Sequence, residues 1–262
     1  MQLNTIDHIA HTNRLRHTNP KLKVLFALSM LLIALFSKSI VVPLIIAFIM
    51  ITLTIFVAKV PLKIYLLLLA TPLGFGILTG ILMGYIYVGG NELFTIEIFN
   101  FKISIYSYGI NLGLLVFSRM LGCVASTLFL ALTTPITELF YILKELKIPS
   151  AILDIAMMMY RYIFLLLDEM IRIMNAQNTR LGYRNLKTTY KSLGTLAAIL
   201  FIRAWERGEK SFIIMSSRGY NGDLKLINKI ESPPVKYLLL IIILDIFLII
   251  LSYLTTDFKV IA

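Results

Sequence analysis

The arginines at the ends of two helix-like runs are the residues whose type and spacing suggest chemistry most directly. One run closes on Thr179-Arg180-Leu181-Gly182-Tyr183, the other on Ser217-Arg218-Gly219-Tyr220. A glycine just past a helix end supplies the left-handed cap, and a cation in the last turn meets the negative end of the helix dipole. A guanidinium mounted there is a stiff, planar donor for a carboxylate on a partner surface. Other reactive groups form no comparable arrangement. His8, His11 and His17 have mixed spacing and no cysteine companions, so no metal site is expected. Asp168-Glu169 is followed by Arg172 and reads as a solvated helix face. No nucleophile has an evident base, and no catalytic residue is expected. No G-x-x-x-x-G-K-[ST] run occurs, so a phosphate-cradling loop must come from another chain.

The elements that position these arginines belong to a membrane protein. Of 262 residues, 58% are hydrophobic and 15% charged, against about 45–50% and about 25% in soluble domains. The mean hydropathy is +0.85. Cys123 is the sole cysteine, so no intramolecular disulfide forms. About 20 apolar residues cross a bilayer as a helix. Five such spans are predicted, at 22–36, 40–57, 64–88, 108–132 and 237–254, with Ser37-Lys38-Ser39 as the turn between the first two. The chain therefore divides into transmembrane helices over 1–132, cytoplasmic or interfacial helices over 133–236, and a last span in 237–262.

The net charge of +11 is a topology signal here rather than a nucleic-acid footprint. Arg14, Arg16, Lys21 and Lys23 precede the first span, Lys59 and Lys63 follow the second, and many more lie in 133–236. The opposite side holds Lys38, Lys102 and Lys259. Cytoplasmic loops carry the excess of Lys and Arg, which places the amino terminus inside.

Segment 133–236 is too long for a structureless loop. Ile136, Leu139, Phe140, Leu143 and Leu146 follow amphipathic spacing. Pro149 starts a second, long helix, apolar enough for a sixth span but expected at or just below the cytoplasmic interface because Asp154 and Arg161 interrupt the run. A third is predicted from about Ser192 to Ser217. Within the spans, Gly76, Gly80 and Gly84 form a small face for close helix packing, inside the protein or against a membrane partner. Arg119 and Asp245 fall mid-span, where an isolated charge costs about 2.5–3.5 kcal/mol, and are expected to pair or to face a polar crevice.

RAWERGEKSFIIMSSRGYNG, together with IDHIAHTNRLRHTNPKLK near the amino terminus, resembles the transmembrane T component of energy-coupling factor (ECF) transporters. The similarity is to the cobalt/nickel CbiQ-type branch and runs through nearly the whole chain. It implies an all-α integral membrane protein with about five transmembrane helices and long cytoplasmic coupling helices. It also implies a non-enzymatic subunit in the plasma membrane that passes ATPase motion to a substrate-binding membrane subunit. Two short Ala-Arg-Gly-type motifs in that family dock into a pair of ATP-binding-cassette ATPases. The second maps onto Ser217-Arg218-Gly219, with Ser for Ala. The first maps near Thr179 to Gly182, where Leu181 separates Arg180 from Gly182. Aligned on the glycine, Leu181 takes the arginine's slot. ATP would be bound by the partners, with no cofactor in this chain. The alternative from the residues themselves is a membrane enzyme acting on lipid phosphates through the basic segment.

Overall fold

The computed structural model describes residues 2–87, 89, 92–98, 101–146, 148–220 and 233–255. Two compact units emerge, one of residues 1–139 with 230–262 and one of residues 140–229. Among the described residues the fold is all-α apart from one short hairpin, as expected of a helical membrane protein.

The first unit begins with α1 (Gln2–Thr12) and a 3₁₀ turn (Arg14–His17). In α2 (Pro20–Phe36), Pro20 sits in the first turn and the Asn19 side chain accepts from the Lys21 N–H. α3 (Val41–Thr52) continues through a π turn (Leu53–Val57). Then come α4 (Leu62–Ile86), α5 (Ser107–Thr133) and, after the second unit, α9 (Val235–Leu254). Between α4 and α5, β1 (Glu92–Ile98) pairs antiparallel with β2 (Phe101–Tyr106), Ile96 facing Ile103. This hairpin is an addition to the predicted elements.

α5 is the axis of the unit, packing against α4, α3 and α2. Lipid offers no hydrophobic drive between helices, so close approach through small residues has to supply dispersion contact. A Cβ on Gly113 would lie 2.7 Å from the Gly80 carbonyl oxygen, and one on Gly109 would lie 3.0 Å from the Gly84 Cα. A Cβ on Gly76 would collide with Met120. The Gly76, Gly80 and Gly84 face thus lies against α5 inside this protein. Elsewhere Ala27, Met30 and Ala34 of α2, Ile46 and Met50 of α3, Phe129 of α5 and Leu248 of α9 form one buried cluster.

Arg119 and Asp245 do not pair. Among the described residues no ion pair joins them. Arg119 Nε donates to the Ser37 carbonyl (2.8 Å), an orphan acceptor at the negative end of α2. Asp245 Oδ1 accepts from Ser29 Oγ (3.1 Å). Ser29 and Ser37 lie about 12 Å apart along α2 at about 1.5 Å per residue, so the two charges meet different levels of the same helix. Each is satisfied by a local polar group, which removes the need for a partner charge.

Lys23 has a different role from a topology marker alone. It is 5% exposed, and its Nζ donates to the Thr133 carbonyl (3.1 Å) at the end of α5. Asn13 Nδ2 donates to the carbonyls of Leu132 (3.1 Å) and Thr133 (3.2 Å). The amino-terminal segment therefore caps α5 where its last carbonyls lack helical partners.

The second unit holds the remainder of α6 (Ile136–Glu145), which crosses the unit boundary, with α7 (Ser150–Thr179) and α8 (Leu186–Ser217). α8 begins six residues earlier than predicted. Asn185 and Thr188 form a reciprocal capping box that starts it at Leu186. Among the described residues, four helices, α4, α5, α7 and α9, are long and apolar enough to cross a membrane. Composition alone therefore does not separate α7 from a span.

Candidate functional site

The two arginine-bearing ends share one backbone cap. Arg180 ends α7 at φ −94°, ψ 17°, and Arg218 ends α8 at φ −95°, ψ 11°. The next residue is left-handed in both, Leu181 at φ 57° and Gly219 at φ 78°. After α7, the N–H groups of Leu181 and Gly182 donate to the carbonyls of Asn178 (3.0 Å) and Gln177 (2.8 Å). After α8, those of Gly219 and Tyr220 donate to Ser216 (3.1 Å) and Met215 (3.0 Å). This is the paired hydrogen bonding that satisfies the last carbonyls of a helix. Residue by residue, Arg180 matches Arg218, Thr179 matches Ser217, and Leu181 matches Gly219. On the backbone, then, the caps correspond arginine to arginine, whereas alignment on the glycine would set Leu181 against Arg218.

The displaced glycine has a separate cause. A Cβ on Gly182 would lie 2.7 Å from Ser192 Oγ and 2.9 Å from the Gln177 carbonyl oxygen. Here glycine serves close approach, and the left-handed position is left to Leu181. Three side-chain bonds close the knot. Ser192 Oγ donates to the Gly182 carbonyl (2.9 Å), Gln177 Nε2 to the Ser192 carbonyl (3.0 Å), and Tyr183 OH to Gln177 Oε1 (2.5 Å).

α7 and α8 run antiparallel, joined by a polar seam. Asp154, Tyr162, Glu169 and Gln177 recur every seven or eight residues and share one face of α7. Their α8-side partners step backward in turn: Tyr220 with Asp154, Ser211 with Tyr162, Arg203 with Glu169, Ser192 with Gln177. Glu169 thus has a cross-helix partner in Arg203, and only Asp168 stays on the exposed face. Sequence reading missed the seam, although its heptad-like spacing was present.

With polar groups inside, large apolar groups point outward. Ile152, Ile155, Met159 and Ile163 are exposed along α7, and Phe201, Ile202, Trp205 and Phe212 along α8. Trp205 and Phe201 are each 69% exposed. Large apolar side chains exposed along both helices mark surface that is covered by lipid or by another protein. Arg180 and Arg218 are exposed, and among the described residues neither guanidinium meets a carboxylate. His11 Nδ1 lies 2.9 Å from the Asp7 carbonyl oxygen within α1. Among the described residues no cluster of three His, Cys, Asp or Glu could hold a metal.

Comparison with known proteins assigns the family. The chain is 57% identical over 258 residues to an uncharacterized protein of Methanocaldococcus jannaschii, covering 98% of this chain and 96% of that one. It is 29% identical to the cobalt transport protein CbiQ of Salmonella typhimurium, over 84% of this chain and 99% of the relative. It is 31% identical to the energy-coupling factor transporter transmembrane protein EcfT of Streptococcus equi subsp. equi, over 61% of this chain and 64% of the relative. These names describe transporter components rather than enzymes, and the apolar helices make the chain a multi-pass membrane protein. With residues 11–229 matching the model of the cobalt transport protein CbiQ, the chain belongs to the CbiQ family of ECF-type transport components.

Proposed function

We propose that this chain is the transmembrane coupling subunit of an ATP-driven importer, that Arg180 and Arg218 each seat in an ATPase subunit, and that the cargo is cobalt. The observation that carries this reading is the repeated cap: two exposed arginines on matching backbone mounts at the ends of α7 and α8, with α8 running between them. That helix has 32 residues, about 48 Å at about 1.5 Å per residue. A span of that length matches two separate partner proteins better than two points on one groove. ATP is bound by those partners, since the sequence holds no phosphate loop of its own.

The exposed apolar faces of α7 and α8 give the same helices a second surface, suited to a substrate-binding membrane subunit. Closure of the ATPases on ATP displaces the arginine ends, and the rigid helices carry that displacement to the apolar face. Coupling of this kind needs one element that touches both partners. The charge bias of the short loops supports an amino terminus and arginine ends on the cytoplasmic side of the plasma membrane. The cobalt assignment follows the names of the relatives, with the cargo chosen by a separate subunit.

Replacing both arginines tests the reading. Arg180→Ala/Arg218→Ala is expected to abolish co-purification of the ATPase subunits with the tagged chain. Each single variant weakens association by about tenfold or more, as for a charge-assisted contact at an interface. Unchanged association and uptake in the double variant would refute the coupling role.

A further inference from the structure

Asp154 is a carboxylate in the apolar first third of α7, and it is 3% exposed. Burial of such a group is unfavourable unless it is hydrogen-bonded. Its Oδ2 accepts from the Tyr220 hydroxyl at 3.0 Å, across 66 positions of sequence. Tyr220 is also the residue whose N–H closes the cap on Met215, two positions after Arg218. Around Gly219, among the described residues other than its chain neighbours, no atom lies within 4 Å of where a Cβ would stand.

We propose that Tyr220 and Asp154 form a clasp that makes the Arg218 end of α8 and the start of α7 move as one body. Tyr220 and Asp154 are positioning residues, and the inference rests on the coupling role proposed for Arg218. A helix held by its cap alone frays within its last turn. A push delivered at a frayed end is absorbed there. The hydroxyl bond converts that end into a strut, because load at Arg218 passes through Tyr220 into a carboxylate fixed in the body of α7. The other arginine has a parallel device, Tyr183 bonded to Gln177 of α7, but there the tie is local to the turn.

The test uses the full complex of this chain with its ATPase and membrane partners in proteoliposomes. Spin labels at Ile152→Cys and Ser216→Cys, both exposed positions, report the distance across the clasp. With the clasp intact, the distance distribution is narrow and the same with and without ATP. Tyr220→Phe removes one oxygen and no volume, and is expected to broaden that distribution about twofold. Cobalt(II) uptake per ATP hydrolysed falls about tenfold, the scale of a lost hydrogen bond to a charged group. Asp154→Ala does the same. Asp154→Asn keeps an acceptor oxygen and stays near the parent in both readouts. The double variant Tyr220→Phe/Asp154→Ala is no worse than either single change.

An unchanged distribution in Tyr220→Phe overturns the clasp, as do additive losses in the double variant. The Arg218→Ala complex separates this from the underlying reading. If Arg218→Ala impairs ATPase association while Tyr220→Phe behaves as the parent, the clasp alone fails. If Arg218→Ala changes nothing, the coupling role fails and the clasp with it.

Discussion

The end of α7 and the end of α8 present an arginine on the same backbone cap, yet they are held in place by different means. After α7, the chain turns at once into α8, and Gln177, Gly182, Tyr183 and Ser192 close a knot of short-range bonds. A non-glycine residue, Leu181, tolerates the left-handed position because the knot around it is over-determined. After α8 no described residue crowds Gly219, and the glycine itself supplies the conformational freedom. The fixed point is a long-range one, Tyr220 on Asp154. The difference separates two functions of glycine that look alike in sequence. At Gly219 it permits a dihedral, whereas at Gly182 it permits contact.

The largest effect that would sharpen this contrast is expected at the crowded end. In Gly182→Ala the new methyl meets Ser192 Oγ and the Gln177 carbonyl oxygen. The hydroxyl can rotate away, losing its bond to the Gly182 carbonyl, but the backbone oxygen is fixed by the cap. Overpacking and the lost bond together destabilise the turn by about 2–3 kcal/mol. Amide exchange across residues 177–192 in the purified chain is expected to accelerate by about 30-fold or more, since about 1.4 kcal/mol is tenfold. Exchange at the parent rate would mean that Gly182 is not in contact.

Gly219→Ala comes next. Nothing crowds the methyl, so only the dihedral opposes it, at about 1–2 kcal/mol for an L-residue in the left-handed region. Loss of chain entropy in the unfolded state returns part of this, about 0.4–1 kcal/mol. A net cost near 1 kcal/mol should appear as roughly fivefold faster exchange at residues 215–220, with the 177–192 region unaffected. A change spreading to the first knot would contradict the independence of the two ends.

Much of this arrangement was legible in the sequence, and what was not has a physical reason. The spans, the long helices after Pro149 and the arginine at each helix end follow from hydropathy, period and cap chemistry. The match of Arg180 to Arg218 did not, because a glycine one position late is ambiguous until its neighbours are known. Arg119 and Asp245 invited a pairing because both are charged and mid-span. Which carbonyl or hydroxyl stands at their level depends on how far each helix slides along α2, which no local pattern encodes. Asp154 read as an interruption of an apolar run. It is the first member of a series, Asp154, Tyr162, Glu169 and Gln177, whose spacing was present but whose mixed chemistry hid it. Lys23 looked like one more loop cation, and its contact with Thr133 joins residues far apart in sequence.

The smallest effect is the most discriminating for the contrast between the ends. Leu181 is 64% exposed, so Leu181→Gly removes little packing. It relieves a left-handed dihedral worth about 1–2 kcal/mol. Against this, the glycine makes the unfolded chain freer, a loss of about 0.4–1 kcal/mol relative to a residue with a side chain. After the small packing loss, the difference favours the variant by about 0.5 kcal/mol, so exchange across residues 177–192 should slow by about twofold. A stabilising substitution at a conformation shared with Gly219 would show that both ends obey the same backbone demand. If Leu181→Gly were instead destabilising by 1 kcal/mol or more on the scale of a lost apolar contact, the exposed leucine would be holding the knot together. The α7 end would then depend on its side chain where the α8 end depends on its backbone.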